Sequence, residues 1–187
     1  MKIAVYCSAK DCIPEEYLRL GDALGRWLAE QGHTLVYGGA TGGLMTRTSD
    51  AARAAGGEVT GVVPHRIIAA GRLAANCTTQ YIVSSMAERK QTMRDVADCF
   101  ICLPGSYGTL DEMFDVIASG TVGEHKKPIY ILNYKGFYEG IRREAEDMRA
   151  LQFLPKQESY TPVYVDTLEE LYEKLSEIRY QKSDIRN

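Results

Sequence analysis

The residues of this chain best suited to chemistry lie in the stretch 103–112, which has the sequence LPGSYGTLDE. It joins an apolar segment, residues 99–103, to a segment in which apolar residues recur at helical spacing from Leu110 onward, so a strand is predicted to end where a helix begins. The turn between them carries two glycines and several hydroxyl groups. Unpaired N–H groups and the positive end of a helix dipole favour an anion at such a turn, and glycines let the backbone approach it closely. The turn therefore predicts a phosphate site.

Glu112 and the basic pair Arg89 and Lys90 are the charged residues that this turn brings into consideration. Thr109 and Glu112 match the capping-box pattern T-x-x-E, so Glu112 has an alternative role in accepting a hydrogen bond from a backbone N–H at the helix start. Against that role, a carboxylate beside an anion-binding turn repels the anion unless it takes part in the chemistry. Arg89 and Lys90 lie in the first turn of the preceding predicted helix, where the dipole disfavours positive charge by about 0.3–1 kcal/mol. A bound phosphate would relieve that cost, and the residues alone leave both roles of Glu112 open.

Strands alternate with helices along the chain, which predicts an α/β fold with a doubly wound, Rossmann-like parallel sheet. The predicted strands cover residues 2–7, 34–37, 58–63, 78–83, 99–103, 128–132 and 162–165. The predicted helices cover residues 14–32, 44–55, 86–97, 110–117, 137–151 and 167–180, and residues 64–75 fit a flexible flap or a short helix. With 187 residues, 45% of them hydrophobic, the chain suits a single domain over residues 1–180 and a frayed tail over 181–187. In such a sheet ligands bind beyond the carboxyl ends of the strands, where the strand order reverses.

A second glycine-rich turn occupies residues 37–45 and joins the second predicted strand to a helix. Gly38 and Gly43 have G-x-x-x-x-G spacing, but the following Leu44 and Met45 replace the Lys-Ser/Thr of a P-loop, which excludes an ATPase of that type. The turn after the first strand contains no glycine, which argues against a fingerprint for NAD or FAD, although Ser8 there can bind a ligand or cap a helix. Two turns at corresponding strand ends support a ligand site better than either does alone.

Composition narrows the classes of partner and compartment. A net charge of −3 without a basic run argues against nucleic acid as a partner. No apolar run is long enough to cross a bilayer and no signal-peptide pattern opens the chain, so we expect no membrane partner and a cytoplasmic location. Five cysteines without disulfide spacing suit a reducing compartment. Two of them, Cys99 and Cys102, form C-x-x-C, but in a strand they point to opposite faces, which favours core positions over a redox or metal site. The three histidines are scattered, so no metal is expected.

Two motifs together resemble the LOG family, the cytokinin riboside 5′-monophosphate phosphoribohydrolases formerly labelled lysine decarboxylases. They are M-x-x-R-K, formed by Met86, Arg89 and Lys90, and P-G-x-x-G-T-x-x-E over residues 104–112. The resemblance covers about residues 1–166. It implies a hydrolase that needs no cofactor, acts on a nucleoside 5′-monophosphate such as AMP, releases free base and ribose 5-phosphate, and forms a homodimer or a larger homo-oligomer.

The resemblance also implies roles for individual residues. Arg89 and Glu112 would be catalytic. The substrate-binding set that it implies comprises Gly39, Gly43, Lys90, Gly105, Ser106, Tyr107, Gly108 and Thr109. Two candidates come from the residues themselves: Ser8, which can bind a ligand or cap a helix, and Met86, which can flank a base or pack in the core. From its chemistry alone, the carboxylate of Glu112 can stabilise an oxocarbenium-like transition state or activate water during N-glycosidic cleavage.

The chain departs from the family pattern at four positions, and two other functions compete with hydrolysis. Ala40, Thr46, Ala87 and Ser106 stand where the family usually has Gly, Gly, His and Gly, which affects the pocket wall but removes no proposed catalytic group. A non-catalytic carrier of a nucleotide or of the molybdenum cofactor is the main alternative, since such carriers share this type of fold and turn. Pyridoxal-dependent decarboxylation has little support, because no lysine setting for a Schiff base is evident.

Overall fold

A parallel sheet forms the centre of the molecule, and its strands coincide with the apolar segments of the sequence. The computed structural model describes residues 1–155 and 159–184. Within them the strands are β1 Lys2–Tyr6, β2 Thr34–Tyr37, β3 Val59–Pro64, β4 Thr79–Val83, β5 Cys99–Cys102, β6 Ile129–Leu132 and β7 Val163–Val165. The helices are α1 Glu15–Glu30, α2 Gly43–Ala54, α3 His65–Ala69, α4 Met86–Val96, α5 Tyr107–Thr121, α6 Glu139–Ala150 and α7 Leu168–Asp184, with a 3₁₀ turn at Tyr134–Gly136.

The inner strands of the sheet are buried on both faces, as their apolar sequences require, whereas four of the five residues of the edge strand β4 are exposed. One core cluster contains Leu24 and Leu28 of α1, Leu44 of α2 and Leu171 of α7. The other contains residues of α4, α5 and the β6–α6 connection, including Met93 of α4. Cys99 belongs to the first cluster and Cys102 to the second, which confirms that the C-x-x-C pair points to opposite faces. The doubly wound α/β prediction is therefore confirmed.

The strand order β4-β3-β2-β1-β5-β6-β7 reverses direction between β1 and β5. Residues just after these two strands are hydrogen-bonded to each other, since the Ser8 amide donates to the Pro104 carbonyl at 3.3 Å. The turn that opens α5 thus lies directly beside the turn after β1. This is the position at which open parallel sheets bind ligands.

The segment 64–75, for which a flap or a short helix was predicted, combines α3 with an extended stretch, residues 72–74, that is bonded to the glycine-rich turn. The Thr41 amide donates to the Arg72 carbonyl and the Ala74 amide donates to the Gly39 carbonyl, both at 2.9 Å. Ala40 and Leu73 form an isolated antiparallel bridge between the same two segments. The segment is therefore fixed against the sheet edge that holds the site.

At the carboxyl end, α7 continues through Asp184, beyond the predicted helix end at Tyr180. The rest of the predicted frayed tail, residues 185–187, lies outside the described residues. Across residues 1–155 and 159–184, no helix combines the length and the apolar character that a bilayer span requires.

Candidate functional site

Arg89 of α4 and Glu112 of α5 form a buried ion pair at the sheet edge. Each side chain is at most 7% exposed, and Nη1 of Arg89 donates to Oε1 of Glu112. Nε of Arg89 also donates to the Val62 carbonyl at 3.2 Å. Gly38 leaves the room that this guanidinium occupies, because a Cβ atom there would lie 2.0 Å from Nη2 of Arg89. The structure thus brings together the two predicted catalytic residues and places both beside the glycine-rich turn.

The capping-box role considered for Glu112 is wrong. Helix α5 begins at Tyr107, so Thr109 is its third residue and Glu112 its sixth. Glu112 therefore lies well inside the helix and its carboxylate pairs with Arg89. By contrast, Glu88 does serve at a helix start: its amide donates to Oγ of Ser85, the N-cap of α4, and its carboxylate accepts from the Ser84 amide at 2.7 Å.

Burial and the ion pair act in opposite directions on Glu112. Burial raises the pKa of this carboxyl group above its ordinary value, and the charge and hydrogen bond of Arg89 lower it. Burial, and secondarily the charge of Glu112, raises the pKa of the Tyr6 hydroxyl and of the Cys7 thiol. Tyr6 and Cys7 therefore stay neutral in the neighbourhood of the carboxylate.

The helix α5 presents an uncapped N-terminus at the site. Its N-cap residue Ser106 makes no side-chain capping bond, and its first turn carries no acidic residue. Ser106, Gly108 and Thr109 line a concave surface together with Arg89 and Glu112. The free N–H groups of that turn thus face the same space as the ion pair, which is the geometry of an anion site.

We call this concave surface the central cleft. The residues that line it come from the turn after β1, the glycine-rich turn, α3 and the extended stretch after it, and the starts of α4 and α5. They are Cys7, Ser8, Ala9, Gly38, Ala40, Met45, Arg66, Ile67, Arg72, Met86, Arg89, Ser106, Gly108, Thr109, Asp111 and Glu112. Seven of the twelve predicted site residues are among them: Ser8, Met86, Arg89, Ser106, Gly108, Thr109 and Glu112.

Lys90 is not brought to the central cleft. Its ammonium group lies 2.8 Å from the Asp111 carboxylate and 3.3 Å from the Asp115 carboxylate, both on α5. The hydrogen bond to Asp111 is the main cause of its raised pKa. The two positive charges at the start of α4 are thus compensated by three carboxylates of α5: Glu112 pairs with Arg89, and Asp111 and Asp115 pair with Lys90. They do not need the bound phosphate that the sequence suggested.

The two predicted glycines of the second turn also lie outside the cleft lining. The Gly43 amide donates to Oδ1 of Asp11 at 2.7 Å, so the N-terminus of α2 already binds a carboxylate of the chain itself. The Gly42 amide likewise donates to Oγ1 of Thr46 at 2.7 Å. Gly39, with a φ of +63°, shapes the turn, and its Cα packs against the backbone of Gly61. The amides of Gly42 and Gly43 are therefore already bonded within the chain and are not available to a ligand.

Gly105 and Tyr107 flank the cleft without lining it. Gly105 packs under Thr109, since a Cβ atom at this position would lie 2.1 Å from Oγ1 of Thr109. Tyr107 is 89% exposed and its ring projects from the start of α5. The position of Gly105 explains why this turn requires glycine, while Tyr107 faces solvent.

Sequence reasoning missed several cleft residues, and Arg66 and Arg72 are the most consequential. Both belong to the segment 64–75, for which the sequence predicted a flap or a short helix but no contact with a ligand. This segment follows β3 at the carboxyl edge of the sheet, and that position is the signal that could have identified them. Within residues 1–155 and 159–184 there is no group of three or more His, Cys, Asp or Glu side chains that could hold a metal ion.

Comparison with known proteins gives strong sequence similarity to one family. The family described as possible lysine decarboxylase matches residues 45–175. A protein of Mycobacterium marinum, named cytokinin riboside 5′-monophosphate phosphoribohydrolase, is 36% identical over 90% of this chain and 89% of its own length. The protein of the same name from Mycobacterium tuberculosis is 42% identical over 75% of this chain and 74% of its own. A rice protein, cytokinin riboside 5′-monophosphate phosphoribohydrolase LOG, is 41% identical over 74% of this chain and 57% of its own.

Solved structures share the fold at low sequence identity. A molybdenum cofactor binding protein from Rippkaea orientalis has a TM-score of 0.71 at 18% identity, covering 95% of this chain and 96% of that one. The molybdenum cofactor carrier protein of Chlamydomonas reinhardtii has a TM-score of 0.71 at 17% identity, covering 96% and 98%. These likenesses support the architecture of the sheet and its helices and carry no information on activity.

Proposed function

Because the chain belongs to the LOG family, whose matching profile is described as possible lysine decarboxylase, we propose that it hydrolyses the N-glycosidic bond of a nucleoside 5′-monophosphate. The products would be a free base and ribose 5-phosphate, and the substrate would be a cytokinin riboside 5′-monophosphate or AMP. The observation that carries the proposal is the buried Arg89–Glu112 pair in one cleft with the uncapped N-terminus of α5.

Glu112 would act on the sugar. Cleavage of an N-glycosidic bond develops positive charge at the anomeric carbon, and a carboxylate in a poorly hydrated site stabilises that charge or takes a proton from the attacking water. Arg89 favours the ionised carboxylate, since its charge and hydrogen bond lower the pKa that burial raises. It would also fix the direction of the carboxylate, because its guanidinium is itself held by the Val62 carbonyl.

Other cleft residues would position the nucleotide. Met86, Met45 and Ile67 give an apolar wall that suits a purine ring. Oγ of Ser8 accepts a hydrogen bond from the Lys10 amide at 3.1 Å, so its own hydrogen is free for a ribose hydroxyl. The N–H groups of Gly108 and Thr109 would face the phosphate.

Hydrolysis is favoured over the carrier function because the relatives with 36–42% identity carry phosphoribohydrolase names, whereas the carriers share only the fold at 17–18% identity. We further propose that the chain acts in the cytoplasm, where a reducing environment would suit its five free cysteines.

We also propose a homodimer or a larger homo-oligomer, and the surface of α5 supports this. Three large apolar side chains of this helix are exposed. They are Tyr107 at its start (89%), Phe114 near its middle (46%) and Val122 just beyond its end (76%). Phe114 also lines an apolar groove between α5 and α6. Light scattering on the purified protein tests this proposal, and a monomer at every concentration would contradict it.

The test of the activity is the substitution Glu112→Gln. The amide keeps the shape of the side chain but cannot carry the negative charge, so we expect at least a hundredfold lower kcat for AMP, or for a cytokinin monophosphate, with nucleotide binding retained. The matched control is Glu30→Gln, which neutralises an exposed carboxylate at the end of α1. Chromatographic measurement of free base and ribose 5-phosphate decides the matter, and unchanged turnover in Glu112→Gln would refute the assigned role.

A further inference from the structure

Two arginines of the central cleft are without a countercharge. Arg66 and Arg72 both line the cleft, and among the described residues no carboxylate lies within 4.0 Å of either guanidinium. Two other cations, Arg89 in the cleft and Lys90 beside it, are already paired, the first with Glu112 and the second with two carboxylates of α5. Arg66 and Arg72 are therefore the cations of the cleft that can meet an anionic ligand.

The charge of the expected substrate requires such cations. A phosphate monoester carries about −1.5 to −2 charges near neutral pH. The ion pair at the floor of the cleft is neutral overall, and the N-terminus of α5 contributes about half a positive charge. The unpaired guanidinium groups of Arg66 and Arg72 supply the remaining positive charge.

Arg72 is held where it can reach a ligand at the start of α5. Its Nη2 donates to the Thr41 carbonyl at 3.0 Å, while its own carbonyl accepts from the Thr41 amide. One of the five guanidinium donors is thus used to fix the side chain, which leaves the others available. A neighbouring side cleft, between the turn after β1 and the glycine-rich turn, shares Ala9, Arg72 and Ser106 with the central cleft. Arg72 and the N-cap of α5 therefore border the same junction.

We propose that Arg66 and Arg72 bind the 5′-phosphate of the substrate at the N-terminus of α5, and that they select phosphorylated over unphosphorylated nucleosides. This inference rests on the proposed function for the nature of the ligand. It assigns to the segment 64–75 the electrostatic role that the sequence had suggested for Lys90.

The test is titration calorimetry with ribose 5-phosphate and with adenosine, which need no turnover. We expect Arg72→Ala and Arg66→Ala each to raise the Kd for ribose 5-phosphate about tenfold, at the low end for charge-assisted hydrogen bonds because both side chains are largely exposed. The Kd for adenosine should not change. Arg72→Gln keeps a donor for the Thr41 carbonyl without the charge, and it should lose affinity like Arg72→Ala, which separates charge from folding.

Two control variants sharpen the result. Arg26→Ala removes an exposed arginine of α1 that does not line the cleft, and Lys90→Ala removes the paired lysine; both should leave the Kd for ribose 5-phosphate within about twofold. The proposal is overturned if ribose 5-phosphate does not bind the unsubstituted protein, if the two arginine variants bind it like Arg26→Ala, or if Lys90→Ala alone weakens it. Failure of the proposed function is seen separately, as an absence of adenine release from AMP by the unsubstituted protein.

Discussion

Replacement of Arg89 by methionine tests whether the buried ion pair is the electrostatic centre of the site. Methionine keeps most of the length and volume of the arginine stem but removes its charge and its donors. In Arg89→Met, Glu112 would remain buried without a partner, and loss of one member of a buried pair costs about 3–5 kcal/mol. For a chain of this length about 3 kcal/mol corresponds to a decrease in Tm of about 6–12 °C.

The deficit of Arg89→Met should depend on pH. Burial already raises the pKa of Glu112 in the folded protein, and Arg89 opposes that rise, so its removal raises the folded pKa further. A carboxyl group whose folded pKa exceeds its unfolded pKa binds more protons when folded, and stability then falls as pH rises through the interval between the two values. The difference in the free energy of unfolding between the variant and the unsubstituted protein should therefore be largest above the folded pKa and shrink on acidification.

Urea unfolding at several pH values measures the free energy of unfolding of Arg89→Met, of Glu112→Gln and of the double variant that carries both substitutions. Because the double variant leaves no unpaired charge, it should be more stable than the sum of the single costs by about 2 kcal/mol. Arg26→Met, at an exposed position of α1, is the control and should change stability by less than about 0.5 kcal/mol. Additive costs, or an equal deficit at every pH, would show that Arg89 acts through packing and would refute the electrostatic argument.

Three further outcomes follow from the same geometry. The value of kcat/KM for AMP should fall on acidification at a pH above the ordinary glutamate range, because Glu112 must be ionised and burial raises its pKa; a pH profile measures this. Gly38→Ala should lower kcat/KM at least tenfold, since the added Cβ would lie 2.0 Å from Nη2 of Arg89 and 3.1 Å from Cε of Met45, and steady-state kinetics beside a melting curve would detect it. Asp11→Ala should cost about 0.5–2 kcal/mol of stability through loss of the cap at Gly43, as followed by urea unfolding, with activity at saturating AMP unchanged.

Much of the fold was predictable because its signals are local. Apolar runs of four to six residues, separated by glycine and proline, give the strands to within one or two residues, and the alternation with helices gives the parallel sheet. The turn after β5 was identified as the site because it joins a buried strand to a helix rich in apolar residues. The reversal of strand order between β1 and β5 then brings that turn beside Ser8, as expected for this fold class.

The roles of neighbouring residues on one helix were less predictable. Arg89 and Lys90 are adjacent in sequence, so they point about 100° apart around α4. One pairs with the buried carboxylate of Glu112, and the other pairs with the more exposed carboxylates of Asp111 and Asp115. Which cation faces inward depends on the rotation of α4 against α5, and that rotation is set by packing between residues distant in sequence. The same limit applies to Arg66 and Arg72, whose approach to the cleft depends on the bridge between Ala40 and Leu73.

The role of Glu112 shows how much chemical inference can depend on where a helix starts. With Thr109 as N-cap, Glu112 would be a capping residue, whereas a start at Tyr107 carries it one turn further, into contact with Arg89. A buried ion pair is weak evidence for stability, because removing two charges from water costs about as much as their attraction returns. A chain that needed only a stable core at this position would be served as well by two apolar side chains. We therefore infer that this pair, at the reversal point of the sheet and beside an uncapped helix N-terminus, serves the hydrolysis proposed above rather than the stability of the fold.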